Sequence, residues 1–183
     1  MELQILDWIQ KLRSPGLDFL MVQITRLGDK GMIWLALAVI LLIIPKTRKS
    51  GVVLTVALTI DILLCNGILK HLFARIRPCD VNQTIQLLVP RPDDFSFPSG
   101  HTAASFCAVT ALYLCREKIL WKVSFVVAIL IAFSRMYLYV HYPTDILGGI
   151  LFGICAGALG GLLWHIYEQK RAQRKGEIYK CQL

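Results

Sequence analysis

The chain has 183 residues, of which 56% are apolar and 17% charged, and carries a formal net charge of +8. That length suits one domain, and so high an apolar fraction excludes an ordinary soluble globular protein, so the expectation is a membrane protein. Topology and site chemistry account for the basic excess, and no nucleic-acid partner is needed to explain it.

Residues 1–30 are studded with charges and lack an uninterrupted apolar stretch, so they read as a retained arm rather than a secretory signal. Leu3, Ile5, Leu6, Ile9 and Leu12 recur at helical spacing, as do Leu17, Leu20, Met21 and Ile24, with Ser14-Pro15-Gly16 between the two sets. The pattern predicts two amphipathic helices lying on the membrane surface. The alternative is that the second helix lengthens the first span.

A transmembrane helix takes roughly 20 apolar residues. Runs 51–69, 121–139 and 146–167 meet this, whereas 31–44 and 101–115 are shorter and rely on Asp29, Lys30, Lys46 and Arg116 reaching the interfaces. The prediction is an all-α polytopic bundle of about five transmembrane helices in one domain: arm 1–30, bundle 31–167, basic tail 168–183. If the spans alternate, one face collects Lys46, Arg48, Lys49, Arg116, Lys118, Lys122, Lys170, Arg171, Arg174, Lys175 and Lys180, eleven of the twenty Lys and Arg residues. By the positive-inside rule that face, with the C-terminus, is cytoplasmic.

The opposite face receives Lys70, Arg75, Arg77, Arg91 and Arg135 together with His101 and His141, all at span ends or in the loop 70–99. Cations beside a bilayer call for an anion, and the guanidinium fork matches phosphate oxygens. A divalent metal would be repelled. Gly100 admits close backbone approach, and amides at a helix start beside Ser99 point toward bound anions. His141 precedes Asp145 by four residues, with Pro143 opening the fifth helix; a carboxylate there can fix one imidazole tautomer and leave the other nitrogen nucleophilic. His101, at the head of the third span, suits the acid that protonates a leaving oxygen.

Lys70…Arg77-Pro78, Pro98-Ser99-Gly100-His101 and Ser134-Arg135…His141…Asp145, in that order over roughly residues 61–150, resemble the three-part signature of the type 2 phosphatidic acid phosphatase family. The resemblance implies a metal-independent lipid phosphatase with no cofactor. Lys70, Arg77, Ser99, Gly100 and Arg135 would bind phosphate, His141 would form a phosphohistidine, His101 would act as acid, and Asp145 would partner His141. Outer placement and the family together favour undecaprenyl diphosphate as substrate, with phosphatidylglycerophosphate or phosphatidic acid next. A lipid phosphotransferase using the same intermediate is the alternative, and a non-enzymatic anion transporter a further one.

Other polar residues read more plainly. Asp61 and Asn66 lie within a span, and a structural hydrogen bond is the expectation for Asp61. Arg75, Asp80, Arg91, Asp93 and Asp94 would touch a headgroup or be solvated, and His71 and His165 read as interface residues. Gly148, Gly149, Gly153, Gly157, Gly160 and Gly161 suggest close packing of the last helix. The cysteines read as buried apolar residues, apart from Cys79, alone in a loop, and Cys181 in the tail.

Overall fold

The computed structural model describes residues 1–181, with side chains as far as Arg174. Lys175 and Lys180, which the topology reading used, and Cys181 lie outside the described side chains. Every regular element among the described residues is helical, as the apolar periodicity requires.

The arm forms α1 (Glu2–Gln10) and α2 (Pro15–Leu27). Ser14 caps α2 by accepting from the Leu17 amide, and Pro15 occupies the first position, where its missing N–H is no loss. Leu6, Ile9 and Met21 are buried against Tyr137, Leu138, Tyr139, Val140 and Tyr142. The arm is further tied down by Tyr137 and Tyr139 hydroxyls that donate to Asp18 and Asp7, each at 2.6 Å. A 3₁₀ turn, Asp29–Gly31, follows; Lys30 (φ 50°) and Gly31 (φ 69°) are left-handed, so α2 does not continue into the next helix.

Next come α3 (Met32–Ile43) and α4 (Arg48–Asp61). The helix beyond α4 widens into a π-helical segment, Ile62–Leu69, before α5 (Lys70–Phe73) and the one-turn α6 (Pro78–Val81). The reading of one regular span over 51–69 did not anticipate this widening. Asn66 and Gly67, both weak helix formers, sit within it. Cys79 also departs from expectation: it is buried in α6 at 1% exposure, not free in a loop.

α7 (Gly100–Leu114), α8 (Leu120–Tyr137) and α9 (Pro143–Cys181) complete the chain. Three segments, Arg48–Val81, Leu120–Tyr137 and Pro143–Arg174, are long and apolar enough to cross a membrane. α3 and α7, with 12 and 15 residues, are shorter.

α7 is the central helix, packed against α4, α8 and α9 and buried over nearly its whole length. Its seam with α9 meets the small-residue expectation. A Cβ on Gly149 would lie 2.7 Å from the Ser99 carbonyl, one on Gly153 2.3 Å from the Ala103 carbonyl, and one on Gly157 2.8 Å from the Cys107 carbonyl. Glycine at every fourth position of α9 therefore brings the two backbones into direct contact. The Ser99 amide also donates to the Asp145 carbonyl at 3.1 Å, joining the two helix starts.

Candidate active site

The residues that the sequence placed on one face converge. A cavity of about 470 Å³ is lined by Lys70, Arg77, Gly100, His101, Arg135 and His141, together with Thr25, Asp29, Arg91 and Asp94. Ser99 and Asp145, both fully buried, stand behind this lining. Each side chain is held by a different element: Lys70 begins α5, Arg77 precedes α6, His101 is in the first turn of α7, Arg135 in the last turn of α8, and His141 in the connector to α9. His71 and His165 are exposed and stay outside the cluster.

Arg77 sets the state of His141. Its Nη1 donates to the Val140 carbonyl at 2.7 Å and lies 3.2 Å from His141 Nε2. A guanidinium has no lone pair to offer, so Nε2 must be the accepting nitrogen and the imidazole proton sits on Nδ1. His141 is 1% exposed; burial, followed by the charges of Arg77, Arg135, Lys70 and His101, holds its pKa well below the usual imidazole range. A neutral ring with the Nε2 lone pair turned toward the cations is the form a nucleophile requires.

Asp145 stands behind that ring, but not as a simple hydrogen-bond partner. Its Oδ2 is 3.5 Å from His141 Nδ1, and Nδ1 makes no hydrogen bond. The same oxygen accepts from Ser96 Oγ at 2.5 Å and from the Tyr142 amide at 2.8 Å. Oδ1 accepts from Arg75 Nη1 at 2.6 Å. Arg75, read earlier as a headgroup contact or a solvated residue, also donates to Glu2 at 2.5 Å and Thr144 at 2.6 Å and stacks 4.0 Å from the Tyr142 ring centroid. It ties the start of the arm to the carboxylate behind His141.

His101 has a carboxylate that its sequence neighbours do not reveal: Asp29 Oδ1 lies 3.0 Å from its Nε2. Gly28 lets the end of α2 approach that ring, since a Cβ there would stand 2.9 Å from His101 Cδ2. Arg135 donates to Thr25 Oγ1 at 2.6 Å, while its buried Nε has no hydrogen-bond partner. Ser99 Oγ accepts from Thr102 Oγ1 at 3.0 Å. Asp94, read as bland, bridges Lys70 and Arg77: its Oδ2 accepts from Lys70 Nζ and its Oδ1 from Arg77 Nη2 at 2.5 Å.

A second cavity, of about 520 Å³, shares Lys30, Lys70, Asp94, Gly100 and His101 with the first. It extends along α3, α4 and the π-helical segment to Leu35, Leu58, Asp61, Ile62, Asn66 and Ala104. Asp61 is buried and accepts only a weak bond from Cys65 Sγ, at 3.3 Å, in line with the expected structural role.

Comparison with known proteins shows the family. The PAP2 superfamily matches residues 50–172. An undecaprenyl-diphosphatase of Sulfolobus acidocaldarius is 34% identical over 137 residues, which span 75% of this chain and 66% of that protein. The crystal structure of Aquifex aeolicus LpxE superposes with a TM-score of 0.76 at 31% identity, covering 87% of this chain and 93% of that one. A PAP2-type phosphatidylglycerolphosphate phosphatase from Bacillus subtilis gives a TM-score of 0.72 at 30% identity, covering 92% and 85%. Three motifs converging on one cation-lined cavity, in a helical fold shared with these enzymes, show that the chain belongs to the PAP2 superfamily and stands among its phosphatases.

Proposed function

We propose that the protein hydrolyses a lipid phosphate or diphosphate without a metal, through a phosphohistidine on His141. The observation that carries this reading is His141 Nε2 standing 3.2 Å from Arg77 Nη1 within a cluster of buried cations. Lys70, Arg77, Arg135, the Ser99 hydroxyl and the Gly100 amide hold the phosphate oxygens, where charge gathers in a loose transition state. Nε2 attacks phosphorus in line, and His101 gives its proton to the departing oxygen. Water then attacks the phosphohistidine, with His101 now taking the proton, and phosphate leaves.

The second cavity supports a lipid substrate. It leads from the cations past Asp61 and Asn66 to Leu35, Leu58 and Ile62, so a tail held there keeps its phosphate at Lys70. Undecaprenyl diphosphate is the preferred substrate, followed by phosphatidylglycerophosphate and phosphatidic acid. Purified protein in excess chelator is expected to release phosphate from at least one of these, and to prefer the lipid diphosphate over a tail-less diphosphate by about tenfold in kcat/KM, or about 1.4 kcal/mol. A strict metal requirement, or equal efficiency without the tail, would overturn the corresponding part of the reading. Transfer of the phosphoryl group to a second lipid with no free phosphate would favour a phosphotransferase.

We further propose five spans, with α3 and α7 joining the three longer segments and the arm at the interface. The site then lies on the outer face and the tail in the cytoplasm. Native Cys79 is too buried to report sidedness, whereas Gln83 and Lys118 are exposed at opposite ends of the bundle. On intact cells an impermeant thiol reagent is expected to label Gln83→Cys and spare Lys118→Cys; the reverse pattern inverts the bundle.

A further inference from the structure

Asp94 contrasts with the residues it touches. Its side chain is 48% exposed, whereas those of Lys70 and Arg77 are 7% and 3% exposed. Besides the two carboxylate contacts, its carbonyl accepts from Arg77 Nε at 2.8 Å, and the Phe95 carbonyl accepts from Arg77 Nη2 at 3.3 Å. It also lines both cavities at the point where they meet. Two of the cations assigned above to phosphate are thus already paired, with one carboxylate on the loop between α6 and α7.

Buried cations without a counter-ion are costly, so a carboxylate that fills the seat stabilises the empty site. Phosphate and carboxylate are both anions and compete for the same N–H groups on Lys70 and Arg77. Burial disfavours the Asp94 charge, but Lys70 and Arg77 outweigh it and hold the carboxyl down to about 2. Near neutral pH the competitor is therefore always charged.

We propose that Asp94 is a displaceable counter-ion that sets the site's specificity: it yields its place to a phosphoryl group anchored by a bound tail and returns to expel free phosphate. This rests on the assignment of Lys70 and Arg77 to phosphate. An anchored lipid gains binding from its tail as well as from the cations, so it can displace Asp94, whereas inorganic phosphate has only the cations to offer. The product of the reaction is then the anion held least well.

Calorimetric titration of the purified full-length protein with orthovanadate and with inorganic phosphate tests this independently of turnover. Asp94→Asn, which keeps the shape and removes the charge, is expected to bind both about tenfold more tightly than the unaltered protein. Asp94→Glu, which keeps the charge, is expected to stay within about twofold of it. Unchanged or weaker binding to Asp94→Asn would overturn the proposal, since a residue that merely holds Lys70 and Arg77 in position would weaken anion binding when altered. Amide hydrogen exchange on the unaltered protein gives a second readout that needs no variant. Vanadate is expected to speed exchange in residues 90–96 as Asp94 leaves, and protection of that segment would sink the idea. If tighter vanadate binding in Asp94→Asn accompanies no phosphate release from any lipid, the phosphatase reading fails and the counter-ion stands.

Discussion

His141→Ala is expected to reduce phosphate release by roughly 10⁵-fold or more, since it removes the atom that forms the covalent intermediate. The fold should survive. Arg77 keeps its bonds to the Val140 and Asp94 carbonyls, and the helices around the connector do not depend on the imidazole. The variant should therefore still bind vanadate while forming no acid-labile phosphoprotein. A phosphoprotein that forms in the unaltered protein and persists in His141→Ala would place the nucleophile elsewhere.

Asp145→Asn is expected to lower kcat by roughly 10³–10⁴-fold, comparable to the loss of tautomer control in other His–carboxylate pairs. Oδ2 already accepts from Ser96 and the Tyr142 amide, and an Asn carbonyl keeps both in one of its two orientations. The amide NH₂ then has two poor choices. Turned toward Arg75, it sets donor against donor where Oδ1 now accepts at 2.6 Å. Turned toward His141, in the place of Oδ2, it gives up the bonds from Ser96 and the Tyr142 amide and drives the imidazole proton to Nε2, which faces the Arg77 donor and is the atom that must attack. Either arrangement disables His141, while Glu2 and Thr144 continue to hold Arg75. Thermal unfolding in detergent, measured alongside kcat, separates the two effects. A midpoint drop large enough to leave the variant unfolded at assay temperature would mean that Asp145 acts through stability instead.

The legible part of the site follows from where span ends fall. Lys70, Ser99, Gly100, His101, Arg135, His141 and Asp145 lie at or near the ends of apolar runs, with Arg77 in the loop after one of them, so the pattern of runs already drew them together. Their partners were hidden because they are distant in sequence. Asp94 is 24 residues from Lys70, Asp29 is 72 from His101, and Arg75 is 70 from Asp145, separations that no periodicity encodes. One signal was available for Asp94: a cluster of cations beside a bilayer implies a carboxylate somewhere nearby to balance it. The π-helical widening at Ile62–Leu69 left less trace, because Asn66 and Gly67 weaken a helix without specifying how it yields. The arm's helical periodicity was legible, but its seat against Tyr137, Tyr139 and Tyr142 depends on three-dimensional packing.

The glycine seam between α7 and α9 divides the molecule's labour. Where Gly153 meets the Ala103 carbonyl, no side chain intervenes that could change rotamer and let the helices slide. His101 and Asp145, one on each helix, therefore ride on a single rigid body that also carries the Ser99–Asp145 backbone bond. Lys70, Arg77 and Asp94 belong to the other side, a helix interrupted by a π turn and a loop, facing the wall of α3 and α4. The two sides meet at Asp145, whose carboxylate accepts from Arg75 and Ser96, and at Val140, whose carbonyl accepts from Arg77. Under the proposed function, sequence drift in Leu35, Leu58 or Ile62 can reshape the slot for a different tail without moving either residue on the rigid body, so one hydrolytic centre can serve a succession of lipids as a lineage changes its membrane.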